Sequence, residues 1–164
     1  MHLIEQQVSL TWPPVIIKIH IKVTLKELVM STRDQLCSEE DIRDMVHQFY
    51  EKIRQDGVLG PIFNAHIHDW DTHLGRMVQF WSSMLRGTGT YEGTPMPKHI
   101  ALPDLNAELF GHWLNLFHDT LATLPNRAMA EKAGEFSQRI ARSLWYGYQL
   151  HHKPDAPLRE VNRG

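Results

Sequence analysis

At 164 residues the chain is about the length of one domain, long enough to bury roughly two thirds of its unfolded surface in a single core. Hydrophobic residues at 42%, charged residues at 22%, 10 glycines and 9 prolines exclude wholesale disorder and a low-complexity or collagen-like chain. The 17 basic and 19 acidic side chains leave a formal charge of -2, so no electrostatic footprint points to nucleic acid or to an anionic membrane surface as partner.

Protonating all 11 histidines would move that charge from -2 to +9, which makes solubility sensitive to acid below about pH 6. Cys37 is the one thiol. That removes disulfide frameworks, cysteine-rich zinc sites, iron–sulfur ligation and covalent haem attachment, and it fits a reducing compartment. No stretch approaches the ~18 consecutive apolar residues of a membrane span, and the N-terminus lacks a basic region followed by an apolar run. A cytoplasmic location is expected.

Residues 1–29 read differently from the rest. Val15, Ile17, Ile19, Ile21, Val23 and Leu25 alternate with Lys18, His20, Lys22, Thr24 and Lys26 in a strand-like period of two. No second segment matches this pattern, so a lone strand without a pairing partner is expected here. Lys26-Glu27 can be encoded by AAG GAG, a purine-rich ribosome-binding sequence two codons before Met30. Residues 1–29 are therefore expected either not to be translated or to form a flexible extension, with the domain itself at residues 30–150.

From Ser38 the period becomes helical. Ile42, Met45, Val46, Phe49, Tyr50 and Ile53 form one amphipathic face, Ser38 with Asp41 reads as an N-terminal cap, and Asp56-Gly57 stops the helix. Val58-Leu59-Gly60-Pro61-Ile62-Phe63 reads as a turn. A second helix is predicted from about Asp69 to Arg86, with Trp70, Leu74, Met77, Phe80, Trp81, Met84 and Leu85 inward, His73 on the same side, and Gly87 as its stop. Residues 87–98 carry three glycines and two prolines and read as a long structured loop delivering His99. A third helix follows over about Asp104 to Leu124, and a fourth from Asn126 to about Leu150. Residues 151–164 have no core pattern and are expected to be a flexible tail.

Four amphipathic helices make a plain bundle on pattern alone. Three polar residues argue for a ligand site instead: His73 within the second stripe, Tyr50 beside Phe49 on the first, and Trp113 central in the third. Buried donors converging from different helices need a partner. A slot walled by Phe, Met, Leu and Trp, with a histidine arriving from a loop, suits a flat apolar disc with a metal centre, because haem iron accepts a neutral imidazole nitrogen. His66 and His68 form an HxH near His73, but no firm third ligand stands at zinc spacing. The competing possibility is a haem-free four-helix interaction module.

From about Ser38 to Leu150 the chain resembles the group III truncated haemoglobins, small bacterial globins. The resemblance rests on Phe49-Tyr50-Glu51-Lys52 with Asp56, Leu59-Gly60-Pro61-Ile62-Phe63, Trp70 with His73, Phe80-Trp81, Tyr91-Glu92-Gly93-Thr94-Pro95, Lys98-His99, Leu102-Pro103, and Trp113-Leu114 with Phe117. It implies an all-α fold, the truncated two-over-two helical sandwich, holding haem b (iron protoporphyrin IX). By the same resemblance His99 is the proximal iron ligand, its other ring nitrogen donating to a backbone carbonyl. Tyr50 and Trp113 are the distal donors, with His73 at the position of a gate or ligand contact. Phe63 packs on the porphyrin, Met77, Phe80 and Trp81 line the distal wall, and Arg76 meets a propionate.

Bound oxygen gathers negative charge, so donors aimed at it slow its release. Slow release suits chemistry on the ligand better than transport. The expected function is reversible binding of oxygen, nitric oxide or other diatomic ligands, with nitric oxide dioxygenase or peroxidase-like detoxification supported by an unidentified reductase.

Overall fold

The first long helix begins where Ser38 predicts it. In the computed structural model, which describes residues 3–12, 15–24 and 36–161, helix α1 spans Glu39–Gln55. The Ser38 hydroxyl accepts from the Asp41 N–H at 3.0 Å, and the Asp41 carboxylate accepts from the Ser38 N–H at 2.9 Å, completing a capping box. Its buried residues are Ile42, Met45, Val46, Phe49, Tyr50 and Ile53, the predicted face.

The segment read as a turn is helix α2, Leu59–His66. Gly60-Pro61 has the look of a turn, but the first turn of a helix leaves its N–H groups free, so proline is tolerated there. Asp56 supplies the cap, its Oδ1 accepting from the N–H groups of Val58 at 2.9 Å and Leu59 at 2.7 Å. Gly60 is needed for close approach. A Cβ at that position would lie 2.9 Å from the Arg54 carbonyl oxygen, which is backbone and cannot swing aside.

Helix α3 (Trp70–Leu85) is capped by Asp69 and ends before Gly87, whose φ of 73° suits the left-handed stop. Helix α4 (Pro95–Ile100) carries His99. Helix α5 (Ala107–Leu121) starts three residues later than the predicted Asp104, whose φ of 59° keeps it out of a right-handed helix. Helix α6 runs Arg127–His152. Asn126 caps it and also donates to the Leu36 carbonyl at 3.0 Å and to Asp41 at 3.3 Å, joining the starts of α1 and α6.

Helix α1 packs on α3, α5 packs on α6, and the two pairs meet through α1 with α5 and α3 with α6. This is the two-over-two helical sandwich. Its core contains the fully buried Phe49, Phe117, Ile42, Met45, Ile53, Leu85 and Met129. Among the described residues no helix is long and apolar enough to cross a membrane.

The strand expected to stand alone has a partner. β1 (Leu3–Trp12) and β2 (Val15–Thr24) form an antiparallel hairpin in the register Leu3↔Thr24 to Trp12↔Val15. In β1 only Val8, Leu10 and Trp12 alternate cleanly, Glu5-Gln6-Gln7 interrupts the pattern, and Pro13-Pro14 is not the Asn-Gly type of hairpin signal. Met30, expected as the start of translation, lies outside the described residues. Of the residues expected as a flexible tail, His151 and His152 end α6, and Arg159 and Val161 lie back against it. Gln149 exchanges two hydrogen bonds with the Arg159 backbone, at 2.9 and 2.8 Å, and Val161 packs with the cluster of Phe110, Leu114 and Trp145.

Asp56 also binds across the fold. Its second carboxylate oxygen lies 2.9 Å from Nε2 of His112 on α5, the residue before Trp113. Burial pushes this carboxyl up, but the Leu59 N–H, His112 and the Val58 N–H together hold it below its ordinary value. A carboxyl depressed in the folded state adds stability that is complete above its unfolded value, about 3.9, and is lost as pH falls through its folded value. Asp56→Ala is therefore expected to cost about 1–3 kcal/mol near neutrality. In urea titrations the gap between parent and variant should be full above about pH 5 and narrow progressively as the pH falls below about 4. A gap of equal size at the acid end would show that the carboxylate is not its source.

Candidate functional site

A cavity of about 240 Å³ opens between the helix pairs, and its lining draws on all six helices and the loop before α4. Tyr50 comes from α1, Phe63 from α2, His73, Arg76, Met77, Phe80 and Trp81 from α3, His99 from α4, and Trp113 from α5. All nine residues singled out from the sequence thus line one space. Seven of the lining residues, among them Phe63, His73, Arg76, Lys98 and His99, also border an adjoining cavity of about 560 Å³.

His99 is half-buried, and its Nδ1 donates to the Pro95 carbonyl, one turn earlier, at 2.8 Å. This is the backbone contact expected of it. The bond fixes the tautomer with the lone pair on Nε2, the form that binds a metal.

The polar residues from the other helices lack partners. Among the described residues, neither the Tyr50 hydroxyl nor the Trp113 indole N–H has a hydrogen bond, although Tyr50 is 6% exposed. Burial, with a smaller contribution from Tyr91, pushes the Tyr50 phenol well above its ordinary value, so it remains a proton donor. His73 sits edge-on to Tyr50, ring centroids 5.0 Å apart, and edge-on to Trp70 at 5.8 Å. Its Nε2 is buried without a partner. Burial first, then the charges of Lys98 and Arg76, lower its pKa, which keeps the ring neutral at pH 7.

The aromatic wall is rigid. Trp81, Phe117 and Trp113 form a parallel stack, with centroids 5.1 and 5.4 Å apart and planes within 13° and 7°. Phe49 meets Phe117 and Trp113 edge-on at 4.9 and 5.4 Å. This packing fixes the plane of the Trp113 indole. Arg76 is exposed at the rim. Cys37 is buried elsewhere in the core and takes no part.

Residues 31–142 match the model of the bacterial-like globin family. The chain is 37% identical over 124 residues to group 3 truncated hemoglobin ctb of Campylobacter jejuni, a match covering 71% of this chain and 98% of that protein. The crystal structure of the group III truncated hemoglobin from Campylobacter jejuni superposes with a TM-score of 0.64 at 34% identity, covering 74% of this chain and 96% of the other. The chain belongs to the bacterial-like globins, as a group III truncated haemoglobin.

Globin membership implies a haem cofactor and the binding of small diatomic ligands such as oxygen. The site of this truncated haemoglobin fits that group. A protein-only metal site needs three or four ligands, and among the described residues no cluster of three or more His, Cys, Asp or Glu could hold an ion. What the cavity offers is one oriented imidazole nitrogen in an apolar slot, suited to a metal that arrives with its other ligands. Tyr50, His73 and Trp113 line the same space, and neither the Tyr50 hydroxyl nor the Trp113 indole N–H has a partner among the described residues.

Several lining residues carried no distinguishing signal in the sequence. Ile140 and Leu144 of α6 stand four residues apart at ordinary core spacing, and they are core positions that happen to border the cavity. Tyr91 and Lys98 appeared only as landmarks. Tyr91 is brought in by the bond from its N–H to the Ser83 hydroxyl at 2.9 Å and by an edge-on contact with Phe80 at 5.2 Å.

Proposed function

We propose that this truncated haemoglobin holds haem b with His99 Nε2 as the protein ligand to iron, and that its task is chemistry on a bound diatomic ligand. Tyr50 and Trp113 serve as hydrogen-bond donors to that ligand, with His73 as a third polar contact from α3. Phe63, Met77, Phe80 and Trp81 wall the macrocycle, and Arg76 at the rim pairs with a propionate. Haem supplies the ligand-binding iron and the electron exchange. The protein supplies orientation, a dry apolar surround and a fixed set of donors.

One observation carries this reading: a backbone-anchored His99 shares a cavity with two donors that have no partner among the described residues. Preorganised donors act most strongly where negative charge develops and water is excluded. Retention favours a reaction of the held ligand over delivery. Nitric oxide dioxygenation, yielding nitrate, is the leading activity and peroxide turnover the second, either one supplied with electrons by a separate reductase in the cytoplasm.

The test is spectroscopic and then chemical. Protein expressed with haem precursor should be red, with a Soret band that shifts on reduction and again with oxygen or carbon monoxide. The ferrous protein under oxygen, mixed with nitric oxide, should give nitrate in stoichiometric yield. A colourless product that takes up no haemin overturns the haem site, and slow or absent nitrate formation removes the dioxygenase activity.

A further inference from the structure

The helix that carries His99 has little to hold it in place by itself. Helix α4 has six residues, none of them buried, and Thr94 at its start makes no side-chain capping bond. A helix this short is not stable alone in water, so its position must come from docking. Its packing partner among the helices is α6, and one contact near each end of α4 joins the two.

At the first end, Met96 lies over Gly147. A Cβ on Gly147 would overlap the Met96 Sδ and Cε atoms, so the thioether occupies the notch left by the missing side chain. At the other end, the Ile100 carbonyl is among those a helix terminus leaves without an internal partner. It accepts a hydrogen bond from Nε2 of His152, the last residue of α6, at 2.9 Å. The His152 ring lies 4.3 Å from Tyr148, which stacks on the buried Trp145 at 6.0 Å. The donor is thereby braced against the core. His99 falls between the two contacts, and among the described residues its ring hydrogen-bonds to the α4 backbone at Pro95 alone.

We propose that Gly147 and His152 are positioning residues for His99: the end of α6 clamps α4 at Met96 and Ile100 and so sets the depth and direction of the imidazole Nε2. The proposal rests on the haem site argued above. Neither residue lines either cavity next to His99, so each acts on the site only through α4.

The experiment uses the haem-loaded full chain with His152→Ala, His152→Gln and Gly147→Ala. Three quantities are read: the iron–histidine stretching band in ferrous resonance Raman spectra, the rate of haem transfer to a haem-free globin acceptor, and amide exchange over residues 95–102. Losing one hydrogen bond of ordinary strength predicts about fivefold faster haem loss in His152→Ala. A downshifted or broadened stretching band and faster exchange in α4 should accompany it. His152→Gln retains an N–H donor and should recover most of the parental band. Gly147→Ala should displace Met96 and shift the band while His152 is intact.

A purely structural role would lower thermal stability and leave the band where it is. Parental band and haem-loss rate in both His152→Ala and Gly147→Ala overturn the proposal. If the parent itself retains no haem, the haem reading fails separately, and exchange over 95–102 still decides: unchanged protection in the variants overturns the clamp.

Discussion

His99→Ala is expected to leave a folded protein that cannot retain haem. The loss in affinity should exceed about a hundredfold, the upper end of what changes in the surroundings of a metal ligand cost. No other side chain of the cavity is placed to substitute. His73 is wedged between Tyr50 and Trp70, and the charges of Lys98 and Arg76 beside it oppose further positive charge. His66 borders the adjoining cavity and not the one lined by Tyr50 and Trp113. The fold should survive, because among the described residues the His99 ring bonds to its own short helix alone, and the four long helices pack without it. The measurement is haemin titration followed at the Soret band, with helical content checked by circular dichroism. Added imidazole should restore colour by occupying the vacated coordination position. Haem retention at the parental level, with helical content unchanged, would assign the iron ligand to another residue.

How much of this was legible depends on the range of the interaction. Helix α1 could be read to the residue, because its burial face follows a 3.6-residue period and its cap lies within four positions of its start. Helix α2 was hidden because its cap comes from Asp56, two residues before its formal N-cap, and because Gly60-Pro61 imitates a turn. The missing β1 follows from a broken alternation: pairing with β2 is a property of two segments, and only one of them advertised itself. Most of the cavity residues were nameable through the family resemblance, whose landmarks fall on apolar stripes and in motifs of fixed spacing, while Arg76 was reached only as one turn beyond His73. What the sequence could not express were contacts between distant positions, such as His112 with Asp56 and His152 with the Ile100 carbonyl. Nothing local in a sequence distinguishes a histidine with a remote partner from one without.

Tyr50→Phe is expected to raise the oxygen dissociation rate by about 10- to 150-fold, the range for losing a hydrogen bond to a charged group of ~1.5–3 kcal/mol. The substitution removes one atom from a site that otherwise keeps its shape. The ring is held edge-on by Phe49 at 5.1 Å and by Phe63 and Trp70 at 6.1 Å, contacts that phenylalanine preserves. Stability should change little, because the hydroxyl has no partner among the described residues and its removal orphans none. Carbon monoxide gathers less negative charge than oxygen, so its release should respond more weakly, which separates hydrogen bonding from altered access. Trp113 provides an internal check: if both donors meet the ligand, Tyr50→Phe with Trp113→Phe should release oxygen faster than either single variant. The pH dependence has a definite sign. Burial raises the Tyr50 phenol above its ordinary value near 10, so its proton persists past the point where an exposed tyrosine would lose it. Oxygen release from the parent should therefore show no acceleration from Tyr50 ionisation between about pH 7 and about pH 10. An oxygen dissociation rate in Tyr50→Phe equal to that of the parent would remove Tyr50 from ligand stabilisation and leave Trp113 and His73 as the donors to test.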